Sequence, residues 1–174
     1  MISESEREQA RARAASLLEE AGIAMSADEA AAIEVVDFGL GELARTGVQI
    51  LLYFNTSRCS AKELILFGGQ TCPEHRHTPY EGDPGKEETF RVRRGTVYLY
   101  VEGPPTPTPV CVPPHPEHYT VWREIELTEG EQYTVAPDTK HWLQAPFGDA
   151  IVSEFGTESR SEFDVFTDPE IPRA

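Results

Sequence analysis

"GGQTCPEHRHTPYEGDPGKEETFRVRRG", residues 68–95, decides how this chain is read. Two of its five histidines, His75 and His77, stand two positions apart in that stretch. Residues two apart in an extended strand point to the same face, so both imidazoles can be presented to one side. Downstream, Glu88 is in phase with Phe90 and Val92, while Arg91 and Arg93 take the opposite face. If Phe90 and Val92 face a core, Glu88 points inward with them. A buried carboxylate is costly unless positive charge meets it, and a metal ion held by the two histidines would do so. Lys86 shares the phase of Glu88, so an extended segment turns both toward one cavity; taken alone, a lysine in "GDPGKEE" reads as a solvated surface residue. A His-x-His pair by itself is an ordinary strand or loop feature, and the rest of the chain has to supply the other ligands.

A third histidine stands in "VAPDTKHWLQAP", residues 135–146, where His141 heads a strand-like run. Three neutral imidazoles and one carboxylate make a four-ligand set with positions left open for a substrate. Mixed nitrogen and oxygen ligation suits Mn²⁺, Fe²⁺, Co²⁺, Ni²⁺ or Zn²⁺. The remaining histidines, His115 and His118, fall in a proline-rich segment and read as solvent-facing, loop-capping or rim residues.

Working outward, short strands are expected at 33–37, 47–54, 61–68, 88–93, 95–102, 120–127, 132–136, 140–145 and 149–156, punctuated by Gly, Pro, Asn and Asp. Residues 103–117, "GPPTPTPVCVPPHPE", hold too many prolines for a central strand and form a long loop. Many short strands without intervening helices predict a mainly β fold, a sandwich or barrel. Before them, residues 3–22 read as an amphipathic helix with Ala10, Ala14, Leu17 and Leu18 on one face and Gly22 as its stop. Ser26 and Glu29 form a capping-box pattern opening a second helix that ends near Ala32. The expected organisation is a helical arm, residues 1–32, packed on a barrel of residues 33–174, the two making one domain of 174 residues.

A formal charge of −15 argues against a nucleic-acid partner, because phosphate binding needs clustered Lys and Arg. It also favours a neutral small ligand over a phosphorylated one. No stretch approaches the ~20 apolar residues of a membrane span. The opening "MISESEREQARARAASLLEE" has no apolar signal core, so a cytoplasmic setting is expected. Three scattered cysteines, Cys59, Cys72 and Cys111, fit reduced thiols rather than a disulfide framework, with Cys72 a wall residue beside the histidines.

Gly69, His75-Arg76-His77, Glu88 and Gly95 resemble the first motif of the cupin superfamily, and Gly130, Pro137 and His141 its second. The segment between His77 and Glu88 is longer than the common pattern, and Thr139 stands where glycine is usual. The resemblance implies a double-stranded β-helix, a jelly-roll barrel with an N-terminal helical extension, holding a divalent metal on three His and one Glu. A closer resemblance runs through residues 35–77, 82–103, 133–146, "SEFGTES" and "FTDPEI": the chain is similar to the cupin-type D-lyxose isomerase family. That implies interconversion of D-lyxose with D-xylulose, often D-mannose with D-fructose, with manganese as the usual metal and commonly a homodimer. Carried onto matching positions, the metal ligands are His75, His77, Glu88 and His141. Lys86 and Glu154 fall where the family keeps its proton-handling residues, and Asp168 matches a further active-site carboxylate. Read without the resemblance, Glu154 in "AIVSEFG" is a polar outward strand residue and Asp168 before Pro169 a turn initiator. Competing functions for the same ligand set are an Fe²⁺ dioxygenase and a non-catalytic metal- or sugar-binding cupin. A phosphosugar isomerase ranks lower, because it would need a basic phosphate pocket and only Lys86 and one arginine are available for it.

Overall fold

A computed structural model describes residues 1–172. Helix α1, Glu4–Glu20, begins where the Ser3 hydroxyl accepts from the Glu6 N–H and the Glu6 carboxylate accepts from the Ser3 N–H. It ends before Gly22, whose φ of 72° lies in the left-handed region that glycine adopts without steric cost. Helix α2, Ala27–Ala32, starts on the same reciprocal box between Ser26 and Glu29.

Strands follow as β1 (Glu34–Val36), β2 (Val48–Asn55), β3 (Ser60–Leu66), β4 (Thr71–His77), β5 (Glu88–Arg94) and β6 (Val97–Val101), then β7 (Arg123–Leu127), β8 (Gln132–Val135), β9 (His141–Gln144), β10 (Ala150–Gly156) and β11 (Asp164–Phe166). They form two antiparallel sheets, ordered β1-β2-β3-β10-β5-β8 and β11-β4-β9-β6-β7. Alternation along each strand then decides what is buried. One residue set, with Leu64, Leu66, Phe90, Val92, Leu99, Val101, Leu143 and Val152, fills the space between the sheets.

Each sheet also has its outer face covered, by different means. On the six-stranded sheet, Ala10, Ala14, Leu17 and Leu18 of α1 pack on Val35, Leu51, Ile65 and Ile151. On the five-stranded sheet the proline-rich segment takes the helix's place. Tyr100 and Trp142 stack at 3.8 Å between centroids, and Cys111, Tyr119 and Val121 lie against them. The buried Glu74 carboxylate accepts from the Thr120 N–H (2.6 Å), the Thr120 hydroxyl (2.7 Å) and the Val121 N–H (2.9 Å), which ties the loop to β4.

Nine expected strands form, with ends within about three residues of those read from the sequence. Two were not anticipated. β4 carries Pro73, which reads as a breaker, but a register shift against β9 between Cys72 and His75 leaves no ladder bond for its missing N–H to make. β11 is three residues long and exists only through its pairing with β4. The shift in β4 also reverses phase, so Cys72 joins the inner core while Glu74 and Arg76 point outward, Arg76 to Asp138 at 3.0 Å.

Candidate metal centre

Strand pairing gathers the candidate ligands at one end of the barrel. In the five-stranded sheet, β4 and β9 place His75 directly opposite His141. Glu88, the first residue of β5, reaches the same point from the facing sheet. One ligand atom from each of His75, His77, Glu88 and His141 lies within 4.8 Å of every other. The ring centroids of His75 and His141 are 4.4 Å apart, those of His75 and His77 4.9 Å.

All three rings are held from behind at Nδ1. His75 Nδ1–H donates to the Pro73 carbonyl at 2.8 Å and His141 Nδ1–H to the Thr139 carbonyl at 2.9 Å. His77 Nδ1 pairs with the carboxylate of Asp164, the first residue of β11. For His75 and His141 those bonds select the tautomer in which Nε2 carries a bare lone pair, the arrangement that metal-ligating histidines use. His77 Nε2 lies 3.1 Å from Glu88 Oε1 and donates to it.

The fit to a cation can be tested on His141. Its Nε2 is buried and makes no hydrogen bond, yet Glu88 Oε1 stands 2.7 Å away, close but not aligned for one. A lone pair and an anionic oxygen at that distance repel unless a proton or cation lies between them. His77 responds to the same charge. Burial disfavours its protonation, but Glu88 and Asp164 raise its pKa to about 9. His75, buried beside His141 and His77, is instead held well below the usual histidine range. Three imidazole nitrogens and one carboxylate oxygen suit a borderline divalent ion, so the donor set fits the metal.

Glu88 is 2% exposed and its two oxygens have separate partners. Oε1 faces the histidines and Oε2 accepts from Lys86 Nζ at 2.7 Å. Burial opposes its charge, but Lys86, His77 and His141 outweigh it and hold the carboxyl well below the ordinary carboxylate range. Lys86, 6% exposed, also hydrogen bonds to Glu154 Oε1. Burial works against its proton too, and the two carboxylates prevail, so the ammonium is kept.

The long segment between His77 and Glu88 is what delivers Lys86. It makes an excursion closed by the Tyr80–Asp83 bridge, then returns through Gly85, φ 97°, where any side chain would collide with the His77 carbonyl. The lysine stem then crosses over Gly156 of β10. A Cβ built at Gly156 would lie 2.9 Å from Lys86 Cε and 2.8 Å from the Glu87 carbonyl.

These groups line one cavity of about 440 Å³, within the range of small-molecule sites. His75, His77, Lys86, Glu88 and Glu154 form its polar side, and Phe38, Ile50, Leu64, Phe90 and Phe166 supply apolar wall. Glu154 is 4% exposed. Asp168 stands apart. Its Oδ1 accepts the Glu170 N–H at 2.9 Å, a local turn, and lies 3.1 Å from His118 Nδ1, while Ile171 and Pro172 after it reach the cavity.

Two residues of the site were absent from the sequence reading. Asp164 behind His77 carried no local signal, because β11 is too short for a periodicity. Lys62, which lines the cavity with its Nζ 3.2 Å from Glu154 Oε1, did carry one: in "SAKELIL" it is in phase with the core residues Leu64 and Leu66.

No family model matches the chain. Relatives at high identity do. It is 55% identical, over 99% of its own length and 97% of the relative's, to the D-lyxose/D-mannose isomerase of Thermosediminibacter oceani. It is 56% identical, over 95% and 92%, to the D-lyxose ketol-isomerase of Cohnella laeviribosi. Among solved structures, the L-ribose isomerase of Cellulomonas parahominis superposes with a TM-score of 0.81 over 98% of this chain and 94% of that one. At 18% identity this likeness speaks for the fold alone, a cupin barrel with an N-terminal helix. Full-length identity above one half leaves little room for another lineage: the chain belongs to the D-lyxose ketol-isomerase family.

Proposed function

We propose that the protein is a metal-dependent aldose–ketose isomerase that interconverts D-lyxose with D-xylulose, and D-mannose with D-fructose, by proton transfer through an enediol. The observation that carries the reading is the buried chain Glu88–Lys86–Glu154, which sets a proton-handling carboxylate and an ammonium beside a four-ligand cluster in one sugar-sized cavity. His75, His77, Glu88 and His141 would hold the metal, proposed to be Mn²⁺. A divalent ion bound there supplies Lewis-acid withdrawal of negative charge from sugar oxygens.

The chain's own residues do the rest. Glu154 Oε1 is taken up by Lys86, and its other oxygen makes no hydrogen bond among the described residues, so Oε2 is the one free to act as base. It removes the proton from C2; the C–H electron pair forms the C1=C2 bond as the carbonyl pair moves to O1. Returning that proton to C1 on the C1=C2 electron pair, as the O2 proton passes to O1 and an O2 lone pair forms the C2 carbonyl, completes the ketose. Lys86 commits two N–H groups to Glu88 and Glu154, and the third donates to the oxygen that gains charge. Asp168 is a more distant carboxylate of the site, acting through Ile171 and Pro172, which reach the cavity. A neutral sugar is favoured because Lys62 and Lys86 are both matched by buried carboxylates, leaving no unmatched lysine among the described residues of the cavity for a phosphate. A homodimer is supported by exposed Phe54 and Phe155, which flank Ala61 on the outer sheet face. A cytoplasmic setting is supported by three unpaired cysteines.

The test is incubation of the protein with D-lyxose or D-mannose and Mn²⁺ under strict anaerobiosis, with ketose measured. Turnover without oxygen excludes the dioxygenase reading; sugar binding without ketose would leave only a binding module. Glu154→Gln should keep its manganese and lose turnover at least a hundredfold, whereas wild-type rates would remove Glu154 as the base.

A further inference from the structure

We propose that Lys62 is a substrate-binding residue, donating to a sugar hydroxyl on the carbon chain beyond the two reacting carbons; the proposal rests on the isomerase reading above. Lys62 lies directly opposite Glu154 in the β3–β10 pairing. It is in phase with Leu64 and Leu66, which are both buried in the inner core, so its side chain is directed between the sheets. There it forms part of the cavity wall, its side chain 15% exposed.

What sets it apart is the state of its donors. Lys86 gives hydrogen bonds to Glu88 and Glu154. Lys62 Nζ stands 3.2 Å from Glu154 Oε1 as an ion pair, but makes no hydrogen bond to any described residue. An ammonium carries three N–H groups, and burying them without acceptors is unfavourable. The Glu154 charge balances the Lys62 charge and leaves its donors uncommitted, a combination suited to a neutral hydroxyl rather than to an anion.

The order of groups along the wall indicates which hydroxyl. From Glu88 in the ligand cluster the order runs to Lys86, then Glu154, then Lys62. Oxygens on the two reacting carbons belong beside the cluster and Lys86, with the C–H bonds facing Glu154. Lys62 lies one step farther along, where C3 to C5 of an open-chain pentose would extend.

The experiment compares kcat/KM for D-lyxose and its 3-, 4- and 5-deoxy analogues in the manganese-loaded wild type and in Lys62→Met. A hydrogen bond to a charged donor predicts that Lys62→Met lowers kcat/KM for D-lyxose about ten- to a hundredfold, mainly through KM. One analogue should be penalised by a similar factor in the wild type and by less than about threefold in the variant. Lys62→Arg, which keeps charge and donors, should recover part of the loss. Manganese content and melting temperature check that Lys62→Met is folded; if it is not, Lys62→Gln is read on the same panel. Unchanged penalties for all three analogues, or kcat/KM within twofold of wild type, would overturn the assignment. A wild type that converts none of the sugars would instead overturn the isomerase reading, so the two failures are distinguishable.

Discussion

Gly156→Ala is the most economical perturbation of the site, because it adds one methyl group and replaces no ligand or acid–base residue. The backbone at Gly156 is not left-handed, so alanine can adopt it; the consequence is steric. The new Cβ would lie 2.9 Å from Lys86 Cε, against about 3.5–4.0 Å for relaxed carbon contact. The stem must therefore move by about 0.6–1.1 Å. Glu87, whose carbonyl would be 2.8 Å away, lies in the segment leading into β5 and blocks an alternative relief. A shift of that size separates Lys86 Nζ from Glu88 Oε2, now 2.7 Å away, or from Glu154. Misplacement by about 1 Å costs up to a hundredfold in rate, so kcat should fall about ten- to a hundredfold. Manganese content should be unchanged, because the nearest atom of a ligand residue, Glu88 Cβ, would lie 3.5 Å from the new methyl, an ordinary contact. Steady-state kinetics on D-lyxose with metal analysis of the same sample reads both. Gly130→Ala is the control: its φ of 86° strains any side chain, but nothing lies within 4 Å of a Cβ there. It should lower stability by about 1 kcal/mol and leave kcat alone. Full activity in Gly156→Ala would refute the view that Lys86 must stand where it does.

Asp164→Asn should weaken manganese binding about ten- to a hundredfold, because the residue orients His77 from behind; titration with a fluorescent metal chelator measures it, and unaltered affinity would make Asp164 a bystander. Glu63→Gln tests a buried carboxyl on the outer face of the six-stranded sheet, held by Ser153 and Tyr53. Burial raises its pKa despite those bonds. The native state thus binds this proton more tightly than the unfolded chain does, a contribution that is full below about pH 4.3 and lost as pH rises through the native pKa. Relative to wild type, Glu63→Gln should be more stable at pH 7, and the gap should close toward pH 4 in urea unfolding; a gap that widens on acidification would reverse the sign.

The four candidate ligands were legible because three local patterns carry them. Strand alternation puts His75 with His77, the phase of Phe90 and Val92 turns Glu88 inward, and a strand head exposes His141. Lys86 was half legible: it shares the phase of Glu88, but a lysine after "GDPG" reads as solvated, and its burial depends on how a ten-residue excursion returns over Gly156. Asp164 was hidden because its partner is 87 residues away in the chain and its strand has no periodicity to detect. The bulge at Pro73 was hidden for a related reason, since a proline marks a break without saying whether a partner strand tolerates it.

Composition and periodicity by themselves determined that the chain is mainly β, that two helices precede the strands, and that a neutral small ligand suits its charge. Those properties follow from each residue's own chemistry and its phase within one strand or helix. Tertiary structure alone decided which oxygen of each carboxylate is taken and which is free, that Asp164 supports His77, and that Lys62 stands against Glu154. These are relations between strands far apart in sequence, set by register and by which sheet faces which, and no local window of the chain contains them.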